Sequence, residues 1–114
     1  HYACVTSGGI TLGIKIPVGP DYQVPFAEHV RKRSGIVTRA VGLIVTPQQA
    51  QAIVAEGRAD QVALARAFLD DPRWGWHAAE ALGRKPVFPP QYDRLSAGAW
   101  PGAALVRPNP AQNG

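Results

Sequence analysis

Three short apolar runs alternate with three amphipathic stretches, and this alternation constrains the fold more than any other feature of the chain. The first run is Tyr2-Ala3-Cys4-Val5, closed by Thr6-Ser7-Gly8-Gly9, and a loop rich in Gly and Pro follows from Ile10 to Val24. Pro25 suits the first turn of a helix, where its missing N–H has no partner to lose. That helix is expected to run to Arg33 and stop at Gly35, with Phe26, Ala27 and Val30 inward. The second run, Ile36 to Val41, leads into Gly42-Leu43-Ile44. Thr46-Pro47 then gives a hydroxyl N-cap followed by Pro at the first helical position. Ala50, Ile53 and Val54 share one face of that helix, and Gly57 is placed to end it in a left-handed cap. The third run, Gln61-Val62-Ala63-Leu64-Ala65, does not alternate, which fits a parallel strand buried on both sides. Asp71-Pro72 opens a last helix, with Trp74, Ala78, Ala81 and Leu82 inward, and Gly83 closes it.

Strands alternating with helices through short connections imply an α/β fold with a parallel sheet. Three such units are less than half of a (β/α)₈ barrel, which typically needs about 250 residues. An open flavodoxin-like sheet is the other arrangement the pattern allows, and it too needs more strands. The chain of 114 residues contains no Met and begins inside a strand, so it is expected to be part of a longer polypeptide. Beyond Gly83, Pro86, Pro89 and Pro90 exclude a regular helix. The expected division is a partial barrel over residues 1–94 and a mobile tail rich in Pro, Gly and Ala over 95–114.

Composition narrows the function. Apolar residues make up 46% of the chain, which excludes a disordered polymer. The excess of twelve Lys and Arg over eight Asp and Glu is not gathered on one aromatic-lined face, so no nucleic-acid partner is expected. The densest basic run, Arg31-Lys32-Arg33, falls at a helix end, where the dipole favours cations, and is read as solvated. Cys4 is the sole cysteine and excludes an internal disulfide; it is read as a small buried strand residue. No apolar stretch approaches the roughly 20 residues needed to cross a bilayer, and no signal peptide is visible, so a cytoplasmic location is expected. His29 and His77 are read as solvated helix residues and Asp70-Asp71 as helix capping. No spacing suggests a metal cluster.

In parallel α/β folds, functional groups collect where strands end and loops begin. Those positions are Ser7-Gly8-Gly9, Gly42-Leu43 and Ala65-Arg66. Small residues let a ligand approach the backbone, and an Arg straight after a strand adds a fixed cation with several donors. Together they make a cradle for a phosphate group. A pairing of Arg66 with Asp70 or Asp71 is the competing structural reading.

The ordered motifs Ser7-Gly8-Gly9, Asp21-Tyr22-Gln23-Val24-Pro25-Phe26-Ala27, Ala40-Val41-Gly42-Leu43-Ile44, Gly57-Arg58-Ala59-Asp60, Ala65-Arg66, Asp71-Pro72 and Pro90-Gln91-Tyr92-Asp93-Arg94 carry a resemblance. Over residues 2 to 94 the chain resembles the carboxy-terminal part of the old yellow enzyme family, in its bacterial thermophilic-like subgroup of NADPH dehydrogenases and ene-reductases. The resemblance implies the sixth to eighth strand–helix units of a (β/α)₈ TIM barrel that holds FMN non-covalently. Such enzymes take hydride from NADPH or NADH onto the flavin and pass it to an activated alkene of the enone type. The resemblance assigns Gly42, Ala65 and Arg66 to the FMN phosphate, with Ala65 standing where the family has Gly. It assigns Arg94, accompanied by Tyr92, to the active site of a neighbouring subunit, and so implies a homo-oligomer. No catalytic residue of the family maps onto this chain, so the fragment alone is expected to be inactive. Two other readings fit the cradle or the charge alone: another phosphate-binding barrel, for instance one acting on sugar phosphates, and a small basic binding module.

Overall fold

The computed structural model describes residues 1–96 and 98–106. Contacts divide the chain into two compact units, His1–Asp70 and Asp71–Gly114. In the first unit, strands β1 (Ala3–Val5), β2 (Thr38–Ala40) and β3 (Gln61–Val62) form a parallel sheet in the order β1-β2-β3. Helix α1 (Val24–Ser34) connects β1 to β2, and α2 (Pro47–Ala55) connects β2 to β3. Register pairs Cys4 with Arg39 and Arg39 with Gln61, so the three strands leave the sheet at the same end.

The helix boundaries follow from local chemistry. Pro25 lies in the first turn of α1, and Gly35 ends it at φ 69°. Thr46 caps α2 with its side chain, and Gln49 returns the bond, completing a capping box. After α2, Gly57 takes φ 69°. Its N–H donates to Val54 O at 3.1 Å and Arg58 N–H to Ile53 O at 3.0 Å, the paired bonds of a Schellman turn. The core contains Val24, Ala27, Thr38, Ala40, Ile44, Ala50, Ile53 and Ala59. Thr38 and Ala40 are fully buried, whereas Arg39 between them is half-buried, as alternation on a strand requires.

Several burial expectations are corrected. Phe26 is 49% exposed, Val54 is 44% exposed, and Val30 is only half-buried. Cys4 is exposed, because it occupies the opposite face of β1 from Ala3 and Val5 on an outer strand. The run at 61–65 is not buried on both sides: β3 is the other outer strand, its Gln61 is exposed, and its ladder ends with Ala63 N–H to Ala40 O at 2.9 Å. Beyond it stands an unexpected short helix, α3 (Arg66–Asp70).

In the second unit, α4 (Trp74–Ala81) begins later than Asp71-Pro72 suggests, because those residues form a turn first. The Asp71 carboxylate accepts from Arg73 N at 2.9 Å, and Trp74 N–H donates to Asp71 O at 3.0 Å. Gly83 closes α4 at φ 68°, with Arg84 N–H donating to Ala79 O at 2.7 Å. Ala78 is buried, and Trp74, Ala81 and Leu82 are half-buried. A 3₁₀ helix spans Pro90–Leu95, and a four-residue helix α5 (Ala103–Val106) stands within the segment expected to be a mobile tail. Residues 97 and 107–114 of that expected tail lie outside the described residues. No helix of the described residues is long and apolar enough to cross a membrane.

Candidate functional site

The parallel sheet brings the exits of β1, β2 and β3 to one edge, which groups Ser7, Gly42-Leu43 and Ala65-Arg66 at the same end of neighbouring strands. Gly42 adopts φ 113° and Leu43 φ 49°, so the turn after β2 runs through two successive left-handed residues. A Cβ on Gly42 would lie 3.1 Å from each of Gln23 N, Gln23 Cβ and Tyr22 Cδ1. Gly42 is therefore required both by its own dihedral and by close approach of the start of α1. Among the described residues the N–H groups of Gly42 and Leu43 donate to no protein acceptor.

After β3, Ala65 is absent from the residues with positive φ, so Ala carries no left-handed strain there. Its N–H is retained, as is that of Arg66, and neither has a protein partner among the described residues. The Arg66 side chain is exposed and makes no ion pair with a described residue. The competing pairing with Asp70 or Asp71 is not formed, and Asp71 is instead 2.6 Å from His77 Nδ1. The third member of the cradle is altered. Ser7 N–H donates to the side chain of Gln23, so this amide is already committed.

Gln23 is a buried polar residue at this edge that spacing alone did not single out. It is 5% exposed, and its Oε1 accepts from Thr6 Oγ1 at 3.1 Å as well as from Ser7 N. Its Nε2 donates to the Tyr22 hydroxyl at 2.7 Å. In the sequence it stands in the run Asp21-Tyr22-Gln23, where local spacing shows none of its distant partners. Gln49 is a second polar tie. Its Nε2 donates to Leu43 O at 2.8 Å and to Asp21 Oδ1 at 2.5 Å, and its Oε1 accepts from Val45 N at 2.8 Å. It thus fixes both Asp21, at φ 60°, and Leu43.

Beneath this edge an ion-pair group holds the other end of the unit. Asp60 accepts from Thr38 N at 2.9 Å and from Arg31 Nε at 3.1 Å to both oxygens, while Arg31 Nη1 donates to Gly57 O at 3.0 Å. The Thr38 backbone donor, aided by Arg31, holds the Asp60 carboxyl below its ordinary value. Glu28, held low by Lys32 and Arg58, pairs with them at 2.5 and 3.2 Å. Of the run 31–33, Lys32 and Arg33 are exposed as expected of a solvated helix end, whereas Arg31 is half-buried on Asp60. His77 is likewise paired rather than free, while His29 is exposed.

Tyr92 and Arg94 sit together on the 3₁₀ helix of the second unit. Trp76 packs against Phe88 edge to face at 4.9 Å and against Tyr92 at 5.5 Å. Arg94 is exposed and pairs with no described carboxylate.

The arrangement in the first unit can do one thing chemically. Amides without a protein partner at strand ends, with an exposed Arg on the same segment, are groups of the kind that bind an oxyanion. Comparison with known proteins identifies the family. Residues 12–84 match the model of the NADH:flavin oxidoreductase / NADH oxidase family. The NADPH dehydrogenase of Geobacillus thermodenitrificans is 48% identical over 88 residues, covering 77% of this chain and 26% of the relative. The NADPH dehydrogenases of Halalkalibacterium halodurans and Listeria innocua are 46% and 42% identical over 88 and 90 residues, again covering 26% of each relative. The chain thus spans about a quarter of the length of these curated relatives. With well over half of its residues matched, the chain belongs to the NADH:flavin oxidoreductase / NADH oxidase family, the old yellow enzyme family.

Proposed function

We propose that this chain is the carboxy-terminal part of an FMN-dependent oxidoreductase, forming the sixth to eighth units of its (β/α)₈ barrel. Its own task is to grip the FMN phosphate. The amides of the Gly42-Leu43 turn and of Ala65 and Arg66 donate to phosphate oxygens, and the Arg66 guanidinium neutralises their charge. The observation that carries this reading is the gathering of those unpartnered donors at one end of a parallel sheet. The backbone allows it: Gly42 takes its positive φ as glycine packed against the start of α1, and Ala65 keeps its N–H without left-handed strain.

When bound, FMN supplies hydride transfer, from NADPH or NADH to an activated alkene such as an enone. The residues of this chain bind and orient; none of them is assigned a proton or hydride step. Arg94, supported by Tyr92 on the same turn, is the group that enters the active site of a neighbouring subunit in a homo-oligomer. The aromatic packing of Trp76 on Tyr92 supports this role by bracing the turn that carries both residues.

The experiment is to purify the full-length protein and record its visible spectrum with and without added FMN. A flavin spectrum, with NADPH oxidation in the presence of an enone, is expected. A colourless protein that gains no flavin absorbance with added FMN contradicts the proposal. Arg94→Ala is expected to raise KM for the enone while the flavin content stays unchanged; loss of flavin with normal enone affinity places Arg94 elsewhere.

A further inference from the structure

Gln23 is the residue before α1, the position where a side chain usually caps its own helix, yet it makes no capping bond. Its amide is spent across the chain instead, on Thr6 and Ser7 at the exit of β1 and on the Tyr22 hydroxyl. At 5% exposure it is one of the two buried polar residues among those described, and every polar atom of its side chain is used. On the opposite side, the Gly42 backbone rests directly against Gln23 N and Cβ and against the Tyr22 ring. One side chain thus joins the exits of β1 and β2 to the start of α1.

We propose that Gln23 is a positioning residue that locks the Gly42 turn in register with the β1 exit and thereby sets affinity for the phosphate of FMN, a role that rests on the flavin-phosphate reading above. Gly42 has two neighbours that fix it, Gln23 and the Tyr22 ring, and both are held by the same amide. Without that amide, the hydroxyls of Thr6 and Tyr22 and the N–H of Ser7 lose their partner at once. The exposed Thr6 hydroxyl and Ser7 N–H then turn to water and the half-buried Tyr22 hydroxyl loses its donor, so nothing ties the β1 exit to the α1 start. The turn between them then loses its seat. Selectivity for the phosphate suffers first, because a preorganised amide cradle acts only over hydrogen-bond distances. The isoalloxazine ring of the flavin, which binds through other parts of the full-length protein, is unaffected.

The test compares FMN with riboflavin, which lacks the phosphate, by fluorescence titration of the deflavinated full-length protein. Gln23→Met keeps the length and apolar volume of the side chain and removes both polar atoms. The wild type is expected to prefer FMN, and Gln23→Met to lower that preference about tenfold, with riboflavin affinity held within about twofold. A purely structural role lowers both affinities in the same ratio, and an unchanged FMN-to-riboflavin ratio overturns the proposal. A wild type that does not distinguish FMN from riboflavin defeats the phosphate reading itself, which is a separate outcome. Should Gln23→Met fail to fold, Tyr22→Phe and Thr6→Val each remove one partner of the same amide. Each is expected to lower the FMN-to-riboflavin ratio about two- to threefold, and an unchanged ratio in both overturns the proposal.

Discussion

Asp60 draws together three segments of the first unit: Thr38 of β2, Arg31 of α1, and its own turn after α2. Its carboxyl is held below the ordinary value, first by the Thr38 N–H and then by Arg31, against an opposing cost of burial. A carboxyl depressed in the folded state adds stability above its unfolded pKa, and that contribution disappears as pH falls through the folded value. Asp60→Asn is therefore expected to be less stable than wild type near about pH 7, with the gap narrowing towards about pH 3. Urea denaturation at the two values checks this; a gap that widens in acid contradicts it. At Gly42, φ 113° strains any side chain, and a methyl group would press at 3.1 Å on the Gln23 backbone and the Tyr22 ring. Gly42→Ala is expected to cost at least about 1–2 kcal/mol of stability and to weaken FMN binding, read by denaturation and titration. The placement of Gly42, Ala65 and Arg66 just after strands was legible in the sequence because the alternation of runs and helices marks where each strand ends. Gln23 was not, since its partners Thr6 and Ser7 lie 17 and 16 residues away. The Arg31–Asp60 pair, 29 residues apart, escaped for the same reason.

Helix ends were the most legible elements, because capping is decided within a few residues. Thr46-Pro47 and Gly57 bound α2 as their chemistry requires, and Gly35 and Gly83 end α1 and α4 in left-handed turns. Gln49 adds to its capping-box bond two ties, to Leu43 and Asp21. Thr46→Ala is expected to cost about 1 kcal/mol. Gln49→Ala is expected to cost more, about 2 kcal/mol, because several backbone groups lose a partner. The double variant should fall short of the sum, since the two residues share one capping box. Denaturation midpoints of the three variants check the order. Equal costs for the two single changes would mean that the Leu43 and Asp21 ties add nothing. Helix α3 went unread although its signal was present. Arg66-Ala67-Phe68-Leu69 are good or tolerable helix formers, and Pro72 disfavours helix at Asp71, which is where α3 has stopped. Burial was the least legible property, because a helix pattern does not say what lies opposite it. Phe26, Val54 and Cys4 are exposed for that reason.

At the scale of the whole molecule, the three-stranded sheet has two outer strands, and Phe26, Val37, Val54 and Leu69 are exposed apolar residues beside it. Such edges and patches are what further strands and helices of a barrel cover. The chain alone, about a quarter of the length of its relatives, is expected to bind FMN weakly or not at all. A micromolar dissociation constant for the isolated chain contradicts that expectation. The alternation of runs and helices made the parallel sheet legible, whereas the length of each strand depended on neighbours that no local pattern encodes. On the proposed function, main-chain donors and the Arg66 guanidinium hold an oxyanion at the strand ends. This is tested most directly by titrating FMN and riboflavin into the deflavinated full-length protein with Arg66 replaced by Gln. The account predicts FMN affinity lower by about 10- to 100-fold with riboflavin affinity unchanged, as expected for losing a charge-assisted contact. FMN affinity equal to that of wild type would contradict it.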